Sequence, residues 1–237
     1  MKENLRAYIS NVKWLFLTIR RLQKDVANRR EVIAYYLSPI HRRDITVRFR
    51  NGIEVTVFKS YPFEAIAETN LLDVYDAGAT AGSVIVDVGA SVGDSVLYFA
   101  SKVQHARIYA FEPDVNAFAY LKSNLASNSL WVGKHGSLIH LFNTRATANA
   151  LRRIFDEFQE ATIDFLKIDC EGCEYDLLLP LPNEVLKRIR RISLELHYGE
   201  NHSESRLTEK LRSAGFHLSS SKKPGQGAYL YAFASSL

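Results

Sequence analysis

A chain of 237 residues with 47% hydrophobic and 24% charged side chains has the balance of a packed globular protein. This excludes a disordered or fibrous chain and leaves room for one α/β domain with accessory structure. The net charge of +4 conceals an asymmetry, because residues 1–50 carry 12 Lys and Arg against 4 Asp and Glu while the remainder carries 18 against 22. The basic character belongs to the N-terminus, as a solvated helical extension or as a contact for nucleic acid or an anionic membrane face. The two cysteines, Cys170 and Cys173, lie three positions apart in an acidic stretch, which argues against a disulfide framework and for a reducing, cytoplasmic setting.

In chain order, the run Trp14-Leu15-Phe16-Leu17 with Ile19 and Leu22 is broken by Lys13, Arg20 and Arg21, so it is too short and polar to span a bilayer. No signal-peptide cleavage pattern follows it. Tyr8, Val12, Leu15, Ile19 and Leu22 recur at helical spacing, which predicts an amphipathic helix packed on the domain, on a second copy in a homodimer, or on a membrane surface. Ile45 to Phe49 and Ile53 to Phe58 alternate around Arg50-Asn51-Gly52, a hairpin signal. Residues 61 to 77 read as a helix. The expected division is therefore 1–60, a helical and β-hairpin extension, and 61–237, the main domain.

From Ser83 onward, apolar runs at Val84 to Val88, Arg107 to Phe111, Leu138 to Phe142, Ile163 to Ile168 and Ile192 to Leu196 alternate with helical patterns. The helices are expected at Asp94 to Lys102, Asp114 to Ser127, Ala146 to Phe158, Cys173 to Arg188 with a proline interruption, and Ser203 to Ala214. This rhythm predicts a doubly wound, Rossmann-like α/β sheet, mostly parallel. Phe216 to Ser220 and Ala228 to Phe233 flank the turn-rich residues 222–227 and close the sheet with an antiparallel hairpin.

The most informative segment is Val86-Asp87-Val88-Gly89-Ala90-Ser91-Val92-Gly93-Asp94, which follows a strand and opens a helix. Gly89 suits the tight strand-to-helix turn, and Gly93 lets a ligand or the sheet approach the backbone. Glu112 ends the next strand 23 residues after Gly89, the place from which a carboxylate accepts hydrogen bonds from two ribose hydroxyls. A nicotinamide dinucleotide would want G-x-G-x-x-G, whereas Asp87-x-Gly89-x-x-x-Gly93 lacks the glycine that clears room for pyrophosphate. Asp87 suits the ammonium of a methionine moiety, directly or through water. The cofactor set is thus Asp87, Gly89, Ala90, Gly93, Asp94 and Glu112.

Val84 to Asp94 together with Tyr109-Ala110-Phe111-Glu112-Pro113 resemble the first two motifs of the FkbM family of S-adenosylmethionine-dependent methyltransferases. The block Ile163-Asp164-Phe165-Leu166-Lys167-Ile168-Asp169-Cys170-Glu171-Gly172-Cys173-Glu174 is similar to that family's fourth-strand signature. Ile192-Ser193-Leu194-Glu195-Leu196-His197 resembles its fifth strand, so the likeness spans about residues 70 to 200. It implies S-adenosylmethionine as cofactor and methyl transfer to oxygen of a small-molecule or sugar-like acceptor. Between Asn128 and Ile163 the chain is shorter than the family pattern, and no adenine contact is assigned there.

Ligands of open α/β sheets bind beyond the carboxyl ends of the strands, so Asp169, Glu171 and His197 are expected to meet there as the catalytic set. Asp169 and His197 are the candidates for a base on a hydroxyl acceptor, and Glu171 either positions the acceptor or charges a helix start. Asp169 pairing with Lys167 is the structural alternative. Asp169, Glu171, Glu195 and His197 are of the types that hold a divalent ion, but no metal is assigned, and a single C-x-x-C does not complete a zinc site. Two other functions compete: an RNA methyltransferase using the basic N-terminus, and a non-catalytic cofactor-binding module that docks through its first helix.

Overall fold

The computed structural model describes residues 2–38, 43–75, 78–197, 202–222 and 228–234. Its centre is a seven-stranded sheet built from β3 (Val84–Val88), β4 (Arg107–Phe111), β5 (Leu138–Phe142), β6 (Phe165–Ile168), β7 (Arg191–Leu196), β8 (Phe216–Lys222) and β9 (Ala228–Ala234). The spatial order is β5-β4-β3-β6-β7-β9-β8. The first five strands pair in parallel, and β9 pairs antiparallel with both β7 and β8. This is the doubly wound sheet with a terminal antiparallel hairpin that the sequence rhythm predicts. The chain runs outward from β3 to β5, then returns to lay β6 on the other side of β3. The crevice at this reversal is where such sheets receive ligands.

Every residue of β3 and β6 is buried, as expected of parallel strands covered on both faces. Gly93 ends the loop after β3 and α4 (Asp94–Lys102) begins at once. The helix α5 (Val115–Ser127) is capped by Asp114, whose carboxylate accepts from Ala117 N–H; Thr147 caps α7 (Ala148–Asp156) and Ser203 caps α10 (Glu204–Ser213) in the same way. Each cap satisfies a donor that the first helical turn leaves over.

The N-terminal extension comprises α1 (Lys2–Asp25), α2 (Arg29–Leu37) and a hairpin of β1 (Ile45–Arg48) with β2 (Glu54–Val57). Gly52 takes a left-handed conformation in its turn. The edge of β2 is taken up by Asn124 of α5 and by Asn128, which caps that helix's C-terminus. Asn124 accepts from Thr56 N–H and donates to Thr56 C=O, both at 2.8 Å, and Asn128 does the same for Glu54 at 3.0 and 2.7 Å. Val47, Val55 and Val57 share a core with Leu22, Val26, Ile66, Val92 and Leu97. Leu22 is buried at the end of α1 whereas Leu15 and Ile19 stay exposed; the side chains of Tyr8 and Val12 lie outside the described residues. No helix among the described residues is long and apolar enough to cross a membrane.

Several boundaries differ from expectation. The helix expected over residues 61–77 is α3 (Phe63–Ile66) running into a π-helical turn at Ala67–Leu71, and residues 76 and 77 lie outside the described set. The long helix expected after Cys173 divides into α8 (Cys173–Leu178) and α9 (Asn183–Leu186), because Pro180 and Pro182 cannot donate to a continuing ladder. A further helix, α6 (Ser129–His135), stands where none is expected; Leu130 on it is 93% exposed, while Val132 packs on the core beside the hairpin. The turn between β8 and β9 falls outside the described residues.

Candidate active site

The loop after β3 is fixed from beneath. Asp87 is fully buried, with Oδ1 2.9 Å from Lys167 Nζ and Oδ2 accepting from the Ser95 hydroxyl. The parallel register sets Asp87 directly beside Lys167. Lys167 also donates to the Gly89 carbonyl at 2.9 Å. Burial works to lower the Lys167 pKa, but the carboxylates of Asp87 and Asp169 outweigh it and hold the ammonium above its usual range. Asp87 therefore carries the loop from the sheet side. Each of its oxygens thus has one partner, Lys167 or Ser95.

Gly89 and Ala90 both donate to the Phe111 carbonyl at the end of β4, which turns the loop sharply. A Cβ on Gly89 would overlap the Asp169 carbonyl, and the residue has φ +80°. Glycine is required here by the approach of the neighbouring loop. Gly93, expected to let a ligand or the sheet approach the backbone, has φ +86° and faces Leu121 of α5, whose Cγ would lie 3.1 Å from a Cβ. Ala90 is buried, and so is Asp94, whose pKa burial pushes up to about 7 against the lowering influence of Lys167.

Glu112 is mostly buried and stands at the end of β4. Oε2 accepts from Ser91 N–H and Oε1 from Asp114 N–H, each at 2.8 Å. A carboxylate has about four acceptor sites, so these two bonds orient it and leave capacity for a pair of vicinal hydroxyls. The residues present thus fit the ribose of S-adenosylmethionine.

Across the crevice, Asp169 follows β6 and its backbone N–H donates to Val88 C=O. Tyr75 donates to Asp169 Oδ2 at 2.9 Å and is itself buried. Glu171 takes φ +54° and exposes its side chain by 90%. His197 follows β7 and brings Nε2 to 3.4 Å from Glu171 Oε2 and 3.9 Å from Glu195 Oε1. Glu174, fully buried, accepts from the His197 backbone N–H at 2.8 Å and faces its Nδ1 at 3.3 Å. This hydrogen bond, opposed by burial and aided by Glu171 and Glu195, raises the His197 pKa.

The expected trio Asp169, Glu171 and His197 is thus brought together, and Lys167 pairs with Asp87 instead of Asp169. Tyr75 and Glu174 were missed. Glu174 stands within the block already singled out, but Tyr75 gave no signal, since it lies in a stretch read as plain helix. Cys170 and Cys173 are joined in a disulfide with Cα atoms 5.5 Å apart. The successive left-handed residues Glu171 and Gly172 fold one cysteine back on the other. The expectation of unpaired cysteines is corrected, and with it goes their support for a reducing setting.

Residues 143–218 match the family described as Methyltransferase FkbM domain. The AMB antimetabolite synthetase AmbE of Pseudomonas aeruginosa is 26% identical over 203 residues, covering 58% of this chain, and the match spans about a tenth (10%) of that protein. Among solved structures, a SAM-dependent methyltransferase from Agrobacterium tumefaciens superposes with TM-score 0.56 at 13% identity, over 84% of this chain and 72% of that one. The precorrin 8W decarboxylase of Methanobacterium thermoautotrophicum gives TM-score 0.50 at 19% identity, over 73% and 90%; both likenesses concern the fold. Over residues 143–218 the chain is thus similar to FkbM methyltransferases, and the glycine loop with Glu112 at the end of β4 fits S-adenosylmethionine as the cofactor.

Proposed function

We propose that the enzyme methylates a hydroxyl of a small-molecule or sugar-like acceptor. The observation that carries this reading is the meeting of Asp169, Glu171 and His197 across the crevice from Glu112. S-adenosylmethionine supplies an electrophilic methyl on a cationic sulfur. Glu112 binds the ribose and, through Ser91 N–H, keeps the loop in the shape that receives it. Asp169 and His197 hold the acceptor oxygen in line with the methyl, and exposed Glu171 at the mouth of the site takes up its proton.

The test is calorimetric titration with S-adenosylmethionine, S-adenosylhomocysteine and NAD, followed by mass spectrometry of a panel of hydroxylated acceptors. Glu112→Ala is expected to weaken binding of the first two by about 1–3 kcal/mol. Asp169→Asn should leave that binding within twofold and cut transfer at least tenfold. Equal loss of binding in the two variants, or binding of NAD alone, overturns the assignment.

A further inference from the structure

At the carboxyl ends of β6 and β7, one oxygen each from Asp169 and Glu195 and one ring nitrogen of His197 all lie within 4.8 Å of one another. Ligands bound at about 2.1 Å to an octahedral ion sit roughly 3 Å apart along an edge and about 4 Å apart across it. His197 Nε2 and Glu195 Oε1, at 3.9 Å, already stand within that range.

Two features outside the triad point the same way. Glu174 faces His197 Nδ1 and fixes the ring through its backbone N–H, which turns Nε2 toward Glu171 and Glu195. Tyr75 donates to Oδ2 of Asp169, which leaves Oδ1 for another partner. An imidazole backed by a carboxylate and a carboxylate backed by a hydroxyl are the outer partners that orient metal ligands. Of the carboxylates around the imidazole, Glu174 and Glu195 are buried and Glu171 is exposed.

We propose that Asp169, Glu195 and His197 bind one divalent cation of the magnesium or manganese class, and that this ion holds the acceptor hydroxyl. The oxygen-rich set with a single nitrogen suits these ions, and three protein ligands leave positions open for one or two acceptor hydroxyls. The inference rests on the hydroxyl acceptor proposed above. Bound to the ion, the hydroxyl gives up its proton more readily. The proton passes to the Glu171 carboxylate, the O–CH3 bond forms as the S–CH3 bond breaks, and the sulfonium leaves as a neutral thioether.

The test is titration of the full chain with Mn2+, followed by the electron paramagnetic resonance of free Mn2+ and by calorimetry, on the parent, Glu195→Gln and His197→Asn. Circular dichroism serves as the control for folding, and Glu174→Gln is the substitute if His197→Asn does not fold. One ion per chain is expected, with affinity reduced at least tenfold in each variant and S-adenosylmethionine affinity held within twofold. No binding at millimolar Mn2+, or binding that the variants leave unchanged, overturns the proposal. Full transfer to a hydroxyl in the presence of EDTA would also overturn it while leaving O-methylation standing. Mn2+ bound at these residues in a chain that methylates no hydroxyl would instead overturn the acceptor reading and leave the cation site.

Discussion

Below the loop after β3, a buried ammonium and a hydroxyl grip Asp87, and Glu112 ties Ser91 from the side. In the loop after β6, the reverse holds: Glu171 stands 90% exposed on a left-handed residue, and a local disulfide closes the turn around it. The first loop spends its polar groups on its own shape, the second turns them toward the crevice. A cofactor common to every turnover is served by a rigid cradle, whereas the acceptor side must admit and release a varying partner.

Removing the support beneath the cradle is the largest way to break this contrast. Lys167→Met leaves Asp87 buried without its cation and is expected to cost about 3–5 kcal/mol of stability, read from denaturant unfolding. A loss below about 1 kcal/mol would mean that the loop does not depend on its underside.

The buried carboxyl of Asp94 sharpens the same point through pH. With its pKa pushed up to about 7, the folded protein keeps a proton that the unfolded chain releases near its ordinary value of about 4. The stabilisation from this group is complete below that lower value and is lost as pH rises through about 7, at up to about 1.4 kcal/mol per pH unit in between. Asp94→Asn should flatten the corresponding part of the stability profile between pH 4 and 7. An unaltered slope would show that Asp94 does not hold the proton.

The smallest effect is expected on the open side. Glu171→Gln should change stability by less than about 0.5 kcal/mol, as for an exposed side chain outside any buried network, while slowing transfer. A thermal shift as large as that of Lys167→Met would erase the distinction between the loops.

Glu112 was legible because its distance from the glycine loop is set by one helix and one strand, both local. The strands, the caps at Asp114 and Ser203, and the meeting of Asp169 with His197 were legible for the same reason. What escaped notice depends on partners far along the chain. Gly89 reads as a turn glycine, but the atom that forbids a side chain there is the carbonyl of Asp169. Lys167 was weighed as a partner for its neighbour in sequence, yet the β3–β6 register gives it to Asp87. Tyr75 reaches Asp169 across 94 positions, and no periodicity encodes such a contact. The helix at Ser129–His135 is only seven residues long and exposes Leu130, so its hydrophobic spacing is weak.

The pair Asn124 and Asn128, on α5 and at its C-terminal cap, bears on how the protein can be cut. A fragment beginning at residue 61 would free Asn124 and Asn128 from the strand edge they clasp and bare the apolar surface shared by Val92 and Leu97 with the hairpin valines. Asn124 also donates to the Val92 carbonyl, so the same cut would loosen the glycine loop from behind. For expression or domain grafting, the shortest piece that preserves the cofactor cradle starts upstream of Ile45, and the hairpin travels with the sheet.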